Sequence, residues 1–80
     1  MTKDLEQEIE NKIMDSLVGF LDRKQEFDIC SDIYDSIINI LDQYNIIKFN
    51  VNCAFDNKCF CNVGIYFEID NYEYFNRFTF

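Results

Sequence analysis

Residues 47–69 read IKFNVNCAFDNKCFCNVGIYFEI, and this stretch decides the fold. Ile47, Phe49, Val51, Cys53 and Phe55 alternate with Lys48, Asn50, Asn52 and Ala54. A period of two with one wet face is a β-strand lying on a core. Asp56-Asn57-Lys58 reads as a turn. After it Cys59, Cys61, Val63, Ile65, Phe67 and Ile69 alternate with Phe60, Asn62, Gly64, Tyr66 and Glu68. Asp70-Asn71 is a two-residue hairpin signal without the usual glycine, so Tyr72 to Phe80 returns as a third strand.

These turns imply a register, because opposed residues of an antiparallel pair share a face. A three-residue loop at 56–58 sets Cys53 opposite Cys61, Val51 opposite Val63 and Phe49 opposite Ile65. A two-residue loop at 70–71 sets Ile69 opposite Tyr72, Phe67 opposite Tyr74 and Val63 opposite Phe78. On the other face it sets Tyr66 opposite Phe75, with Phe60 along the same strand. The aromatics Phe60, Tyr66 and Phe75 then have no helix to cover them, and form a candidate contact with a partner or a homodimer interface.

Ahead of the strands the apolar period is that of a helix. Over residues 4–23, Leu5, Ile9, Ile13, Leu17, Phe20 and Leu21 sweep one broad face, with Asp4 as the expected cap. Glu6, Glu8 and Glu10 suit the positive end of the helix dipole. A second helix is expected over 29–44, capped by Asp28 or Ser31. Its stripe is Ile29, Ile33, Ile37, Ile40, Leu41 and Tyr44, and Asn45 suits the left-handed residue that ends it. The short link favours an antiparallel pair. The expected architecture is ααβββ, an α+β fold with two antiparallel helices on one face of a three-stranded antiparallel sheet.

Eighty residues, 49% of them hydrophobic and with 9 Phe and 5 Tyr, fill one core and make a single domain over 1–80. That aromatic content excludes a disordered acidic tail. No run approaches a membrane span, and no basic-then-apolar leader opens the sequence, so the expected location is the cytoplasm, with reduced thiols.

Catalysis finds little material here. Histidine is absent, so Ser-His and Cys-His nucleophile pairs cannot be built. Two glycines are too few for a phosphate-binding loop, and the carboxylates fall on solvated helical faces. The expectation is a protein that is not an enzyme and has no cofactor. Cys53, Cys59 and Cys61 fall on the inward strand face, and Cys30 on the inner side of the second helix. Buried core thiols fit this alternation best. A Cys53–Cys61 disulfide and a four-thiolate zinc site are the alternatives, although only Cys59-x-Cys61 approaches zinc-knuckle spacing.

The net charge is −8, and its distribution is uneven. Residues 1–45 hold 11 acids and 4 bases, for −7, whereas residues 46–80 hold 4 acids and 3 bases, for −1. Asp4, Glu8, Asp15 and Asp22 project within about 40° of one another on the first helix. Asp28, Asp32, Asp35 and Asp42 form such a stripe on the second, within about 80°, and no Lys or Arg occurs from Ile29 to Ile47. An ordinary solvated helix face interleaves both signs, since Glu–Lys pairs stabilise helices and like charges destabilise them. Two faces without interleaved bases point to a cationic partner protein. The same acidity disfavours direct contact with nucleic acid.

In length, acidity, αβ make-up and lack of catalytic residues, the chain resembles small acidic phage-encoded inhibitors of nucleic-acid enzymes, anti-CRISPR proteins above all. The resemblance implies a DNA mimic, or a blocker of a nucleic-acid channel, whose partner is a CRISPR effector or another nuclease in a host cytoplasm. Immunity proteins and antitoxins share the profile. A structural or assembly component of a phage, held by the aromatic sheet face, is the rival of another class.

Overall fold

A computed structural model of the chain describes residues 2–24, 28–55 and 60–80. It contains two helices, α1 (Thr2–Val18) and α2 (Ile29–Gln43), with a 3-10 turn at Leu21–Arg23 between them. Three strands follow: β1 (Phe49–Phe55), β2 (Cys61–Ile69) and β3 (Tyr72–Thr79). They form one antiparallel sheet in the order β1-β2-β3, with the helices ahead of the strands in the chain as the ααβββ reading requires.

The core repeats the helical and strand periods of the sequence. Ile9, Ile13 and Leu17 of α1 and Ile29, Ile33, Ile37 and Leu41 of α2 are buried. They meet Cys61, Val63, Ile65 and Phe67 of the central strand, which have no exposed surface. Ser16 and Ser36 join the two helices through a hydroxyl–hydroxyl bond. Full burial of one such aliphatic side chain is worth about 1.5–3 kcal/mol.

α1 is shorter than the periodicity suggests, ending at Val18 rather than Arg23. The Gly19 N–H bonds the Ser16 carbonyl at 3.1 Å and the Phe20 N–H bonds that of Leu17 at 2.9 Å. These i→i−3 bonds tighten the last turn and change its helical phase. Phe20 therefore enters the core, while Leu21 turns outward and is 45% exposed. A Cβ at position 19 would sit 3.3 Å from the Ser16 carbonyl, so the residue without one fits. Asp4 lies inside the first helical turn rather than at its cap. Asp28 does occupy the N-cap position of α2, but its side chain makes no capping bond, and Ser31 lies within the helix.

At the other end of α2, Asn45 has φ 59°. The Ile46 N–H returns to the Leu41 carbonyl and the Asn45 N–H to that of Asp42, which is a Schellman closure. It folds Ile46 back against Leu41, so Ile46 is the buried residue. Ile47, expected inside as the first strand residue, is 87% exposed, and β1 starts only at Phe49.

The β2–β3 register is the expected one: Ile69 faces Tyr72, Phe67 faces Tyr74, Tyr66 faces Phe75 and Val63 faces Phe78. Asp70 and Asn71 have φ 49° and 68°, the positive pair that a tight primed hairpin turn demands. The β1–β2 register differs. Cys53 faces Val63, Val51 faces Ile65, Phe49 faces Phe67 and Phe55 faces Cys61. Residues 56–60 therefore link the last pair, instead of three residues at 56–58. A shift of two keeps every side chain on its face, so apolar alternation alone does not distinguish the registers. The expected turn at Asp56-Asn57-Lys58 and the inward placement of Cys59 lie outside the described residues.

Candidate partner-binding site

The helices present the acids and the sheet presents its uncovered face. Asp4 and Asp15 of α1, Asp22 of the 3-10 turn, and Asp28, Asp35 and Asp42 along α2 are all exposed. Among the described residues, no ion pair or side-chain hydrogen bond reaches any of these six. Because α1 stops at Val18, Asp22 is carried by the 3-10 turn and not by the helical stripe itself.

The remaining two stripe residues are engaged within the chain. Glu8 accepts a hydrogen bond from the Tyr44 hydroxyl at 2.7 Å. That bond, with some burial, raises the tyrosine above its ordinary pKa. Asp32 pairs with Arg23 at 2.6 Å. Tyrosine–glutamate bonding recurs along α1. Tyr74 donates to Glu10 at 2.6 Å, and the Asn76 amide donates to the same oxygen at 3.0 Å. Burial first, and then Glu10, push the Tyr74 phenol upward. The Glu6 carboxylate near Tyr72 raises that phenol as well. Sequence periodicity places Glu6, Glu8 and Glu10 at the positive end of the helix but carries no sign that Glu8 and Glu10 bond tyrosines 36 and 64 residues away in the chain.

Several bases near the helices are also occupied. The Lys12 ammonium lies 5.3 Å from the centre of the Tyr44 ring, and the Arg23 guanidinium lies over Phe20. Lys24 sits between the rings of Phe60 and Phe80. The helical side thus retains six exposed aspartates, while Lys12, Arg23 and Lys24 are directed at aromatic rings and, for Arg23, at Asp32 as well.

Tyr66 and Phe75 lie side by side on the open sheet face, and Phe75 is 68% exposed. With Asn50, Asn52, Gly64 and Arg77 they line a shallow groove of about 320 Å³. A Cβ at Gly64 would meet nothing within 4 Å, so this position forms the groove floor. Burial, together with Glu68, raises the Tyr66 phenol. Phe60 is not part of this groove. It precedes β2 and lies against Lys24, about 20 Å along the strand from Tyr66.

An apolar patch unforeseen in the sequence reading lies between α1 and β3. Met14, Val18 and Leu21 are exposed and line a groove with Phe78 and Phe80. Its signal is in the sequence, a second apolar row at i, i+4 and i+7 beside the Ile9–Leu17 row.

The thiols converge. Cys53 Sγ lies 3.0 Å from Cys30 Sγ and 3.6 Å from Cys61 Sγ. All three are free thiols, with Cys61 buried and the other two half-buried. Among the described residues, no group of three or more Cys, Asp or Glu is arranged to hold a metal ion. No helix there is long and apolar enough to cross a membrane. No family model, curated protein or solved structure matches the chain.

Proposed function

We propose that the protein is a non-catalytic acidic inhibitor, similar in kind to anti-CRISPR proteins, that binds a basic nucleic-acid-handling protein such as a CRISPR effector or another nuclease. One observation carries the reading: six exposed aspartates on the helical side have no ion-pair partner among the described residues. Like charges on adjacent helical turns oppose folding, and a cationic cleft relieves that repulsion on binding. Duplex nucleic acid presents a rod of negative charge to Lys- and Arg-lined channels, and an acidic helix pair competes for them. Such a protein acts in the compartment of its target, the cytoplasm of a host cell, and needs no cofactor.

The test is inhibition of DNA cleavage by a panel of RNA-guided nucleases, repeated from low to high salt. Inhibition that weakens steeply with salt supports the reading, while inhibition by the sixfold Asp→Asn variant at full strength contradicts it. An immunity or antitoxin protein shares these physics and differs in target, so rescue of a toxic nuclease by co-expression distinguishes it.

The exposed Phe75–Tyr66 groove favours a second reading, a structural or assembly component that associates through the sheet face as a homodimer or a larger array. Concentration-dependent light scattering that F75S abolishes supports that reading.

A further inference from the structure

Three thiols from three elements meet at one place beneath α2. Cys30 is the second residue of that helix, Cys53 is in the middle of β1, and Cys61 opens β2. Small apolar side chains would fill the same space as core thiols do. Their sulfurs, however, are directed at one another, and the 3.0 Å between Cys30 and Cys53 is only about 1 Å longer than a disulfide bond. Both of these thiols are half-buried and within reach of a small reagent, whereas Cys61 is buried behind them.

We propose that Cys30 and Cys53 are a covalent modification site, a dithiol that closes to a disulfide on reaction with a small disulfide oxidant and pins α2 to β1. Cys61 is the third member, 3.6 Å from Cys53, where it is positioned to exchange for Cys30.

The chemistry balances with glutathione disulfide as the oxidant. One protein thiolate attacks a sulfur of the oxidant, breaking its S–S bond, forming a mixed disulfide and releasing one glutathione. The neighbouring protein thiolate then attacks the protein sulfur of that mixed disulfide and releases the second glutathione. Two protein thiols lose two electrons and two protons, and two glutathione thiols gain them. Burial, and the bond to Cys30, raise the Cys53 thiol above its ordinary pKa, so the reaction is slow at neutral pH and faster in mild alkali.

The bond closes a loop of 23 residues between a helix start and a strand, which constrains the unfolded chain more than the native one. The expected rise in melting temperature is roughly 10–20 °C.

The experiment treats the full chain with glutathione disulfide, blocks the remaining thiols with N-ethylmaleimide and maps the peptides by mass spectrometry. The expected product is one intramolecular Cys30–Cys53 bond, unchanged in C59S and replaced by Cys53–Cys61 in C30S. A wild-type Cys30 that stays fully alkylatable, or that is found bonded only to Cys59 or to another chain, overturns the site. A cross-link with no rise in melting temperature overturns the clamp.

Discussion

The Tyr74 hydroxyl donates to Glu10 at 2.6 Å while its ring stacks on Phe67 at 4.5 Å, so one β3 side chain joins α1 to the sheet and packs against the central strand. The stacking follows from the register, since Phe67 and Tyr74 are partners across β2–β3. The hydrogen bond follows from placing the helix over that strand.

Removing the hydroxyl alone isolates the polar contribution. Tyr74→Phe is expected to lower stability by about 1–2 kcal/mol in urea unfolding, because Glu10 keeps Asn76 as a donor but loses its shorter bond. Tyr74→Ala also forfeits the stacking and opens a cavity, and is expected to cost about 3–5 kcal/mol.

Alkaline pH should destabilise the fold. Tyr74 and Cys53 both have pKa values raised above their ordinary 10.0 and 9.0. The native state therefore holds protons that the unfolded chain has released. Their contribution is complete below the ordinary values and is lost as pH rises through and beyond them. Melting temperature is expected to be level to about pH 8.5 and to fall from there to pH 11. Tyr74→Phe is expected to flatten the fall above pH 10, and an unchanged slope would remove Tyr74 as its cause.

The hairpin offers a gain. Asn71 has φ 68°, which costs a residue with a Cβ about 1 kcal/mol relative to glycine. Asn71→Gly is expected to raise the urea midpoint by an equivalent of about 0.5–1 kcal/mol with the denaturant slope unchanged.

Two isoleucines separate burial from sequence pattern. Ile37 has no exposed surface and Ile47 is 87% exposed. Ile37→Ala is expected to cost about 2–5 kcal/mol, enough to unfold much of a small domain. Ile47→Ala is expected to stay within about 0.5 kcal/mol of the parent.

Element type and order were legible because two periods divide the chain cleanly, and Asp70-Asn71 determined the second hairpin. What the sequence concealed depended on geometry between elements. The β1–β2 register depends on a connection whose length apolar alternation does not encode, and Phe55–Cys61 replaces the expected Cys53–Cys61 pair. Ile47 and Leu21 leave the core because a helix closure and a tightened turn change the phase just before them. The acidic stripes were legible as exposed aspartates. That Glu8 and Asp32 are held by Tyr44 and Arg23 depends on contacts across the fold. Phe60 follows the strand parity of Tyr66 and Phe75, yet it precedes β2 and pairs with Lys24, so parity alone overstated the aromatic cluster.

If charge on the helical side holds the partner, its removal abolishes binding. Asp4, Asp15, Asp22, Asp28, Asp35 and Asp42 are replaced together by Asn, the fold is checked by its melting curve, and the dissociation constant for an inhibited RNA-guided nuclease is measured at low and high salt. Binding by the parent is expected to weaken at least tenfold as screening shortens from about 30 Å to about 8 Å, with little binding by the folded variant at either salt. Equal affinity of parent and variant, insensitive to salt, would contradict that role for the charge.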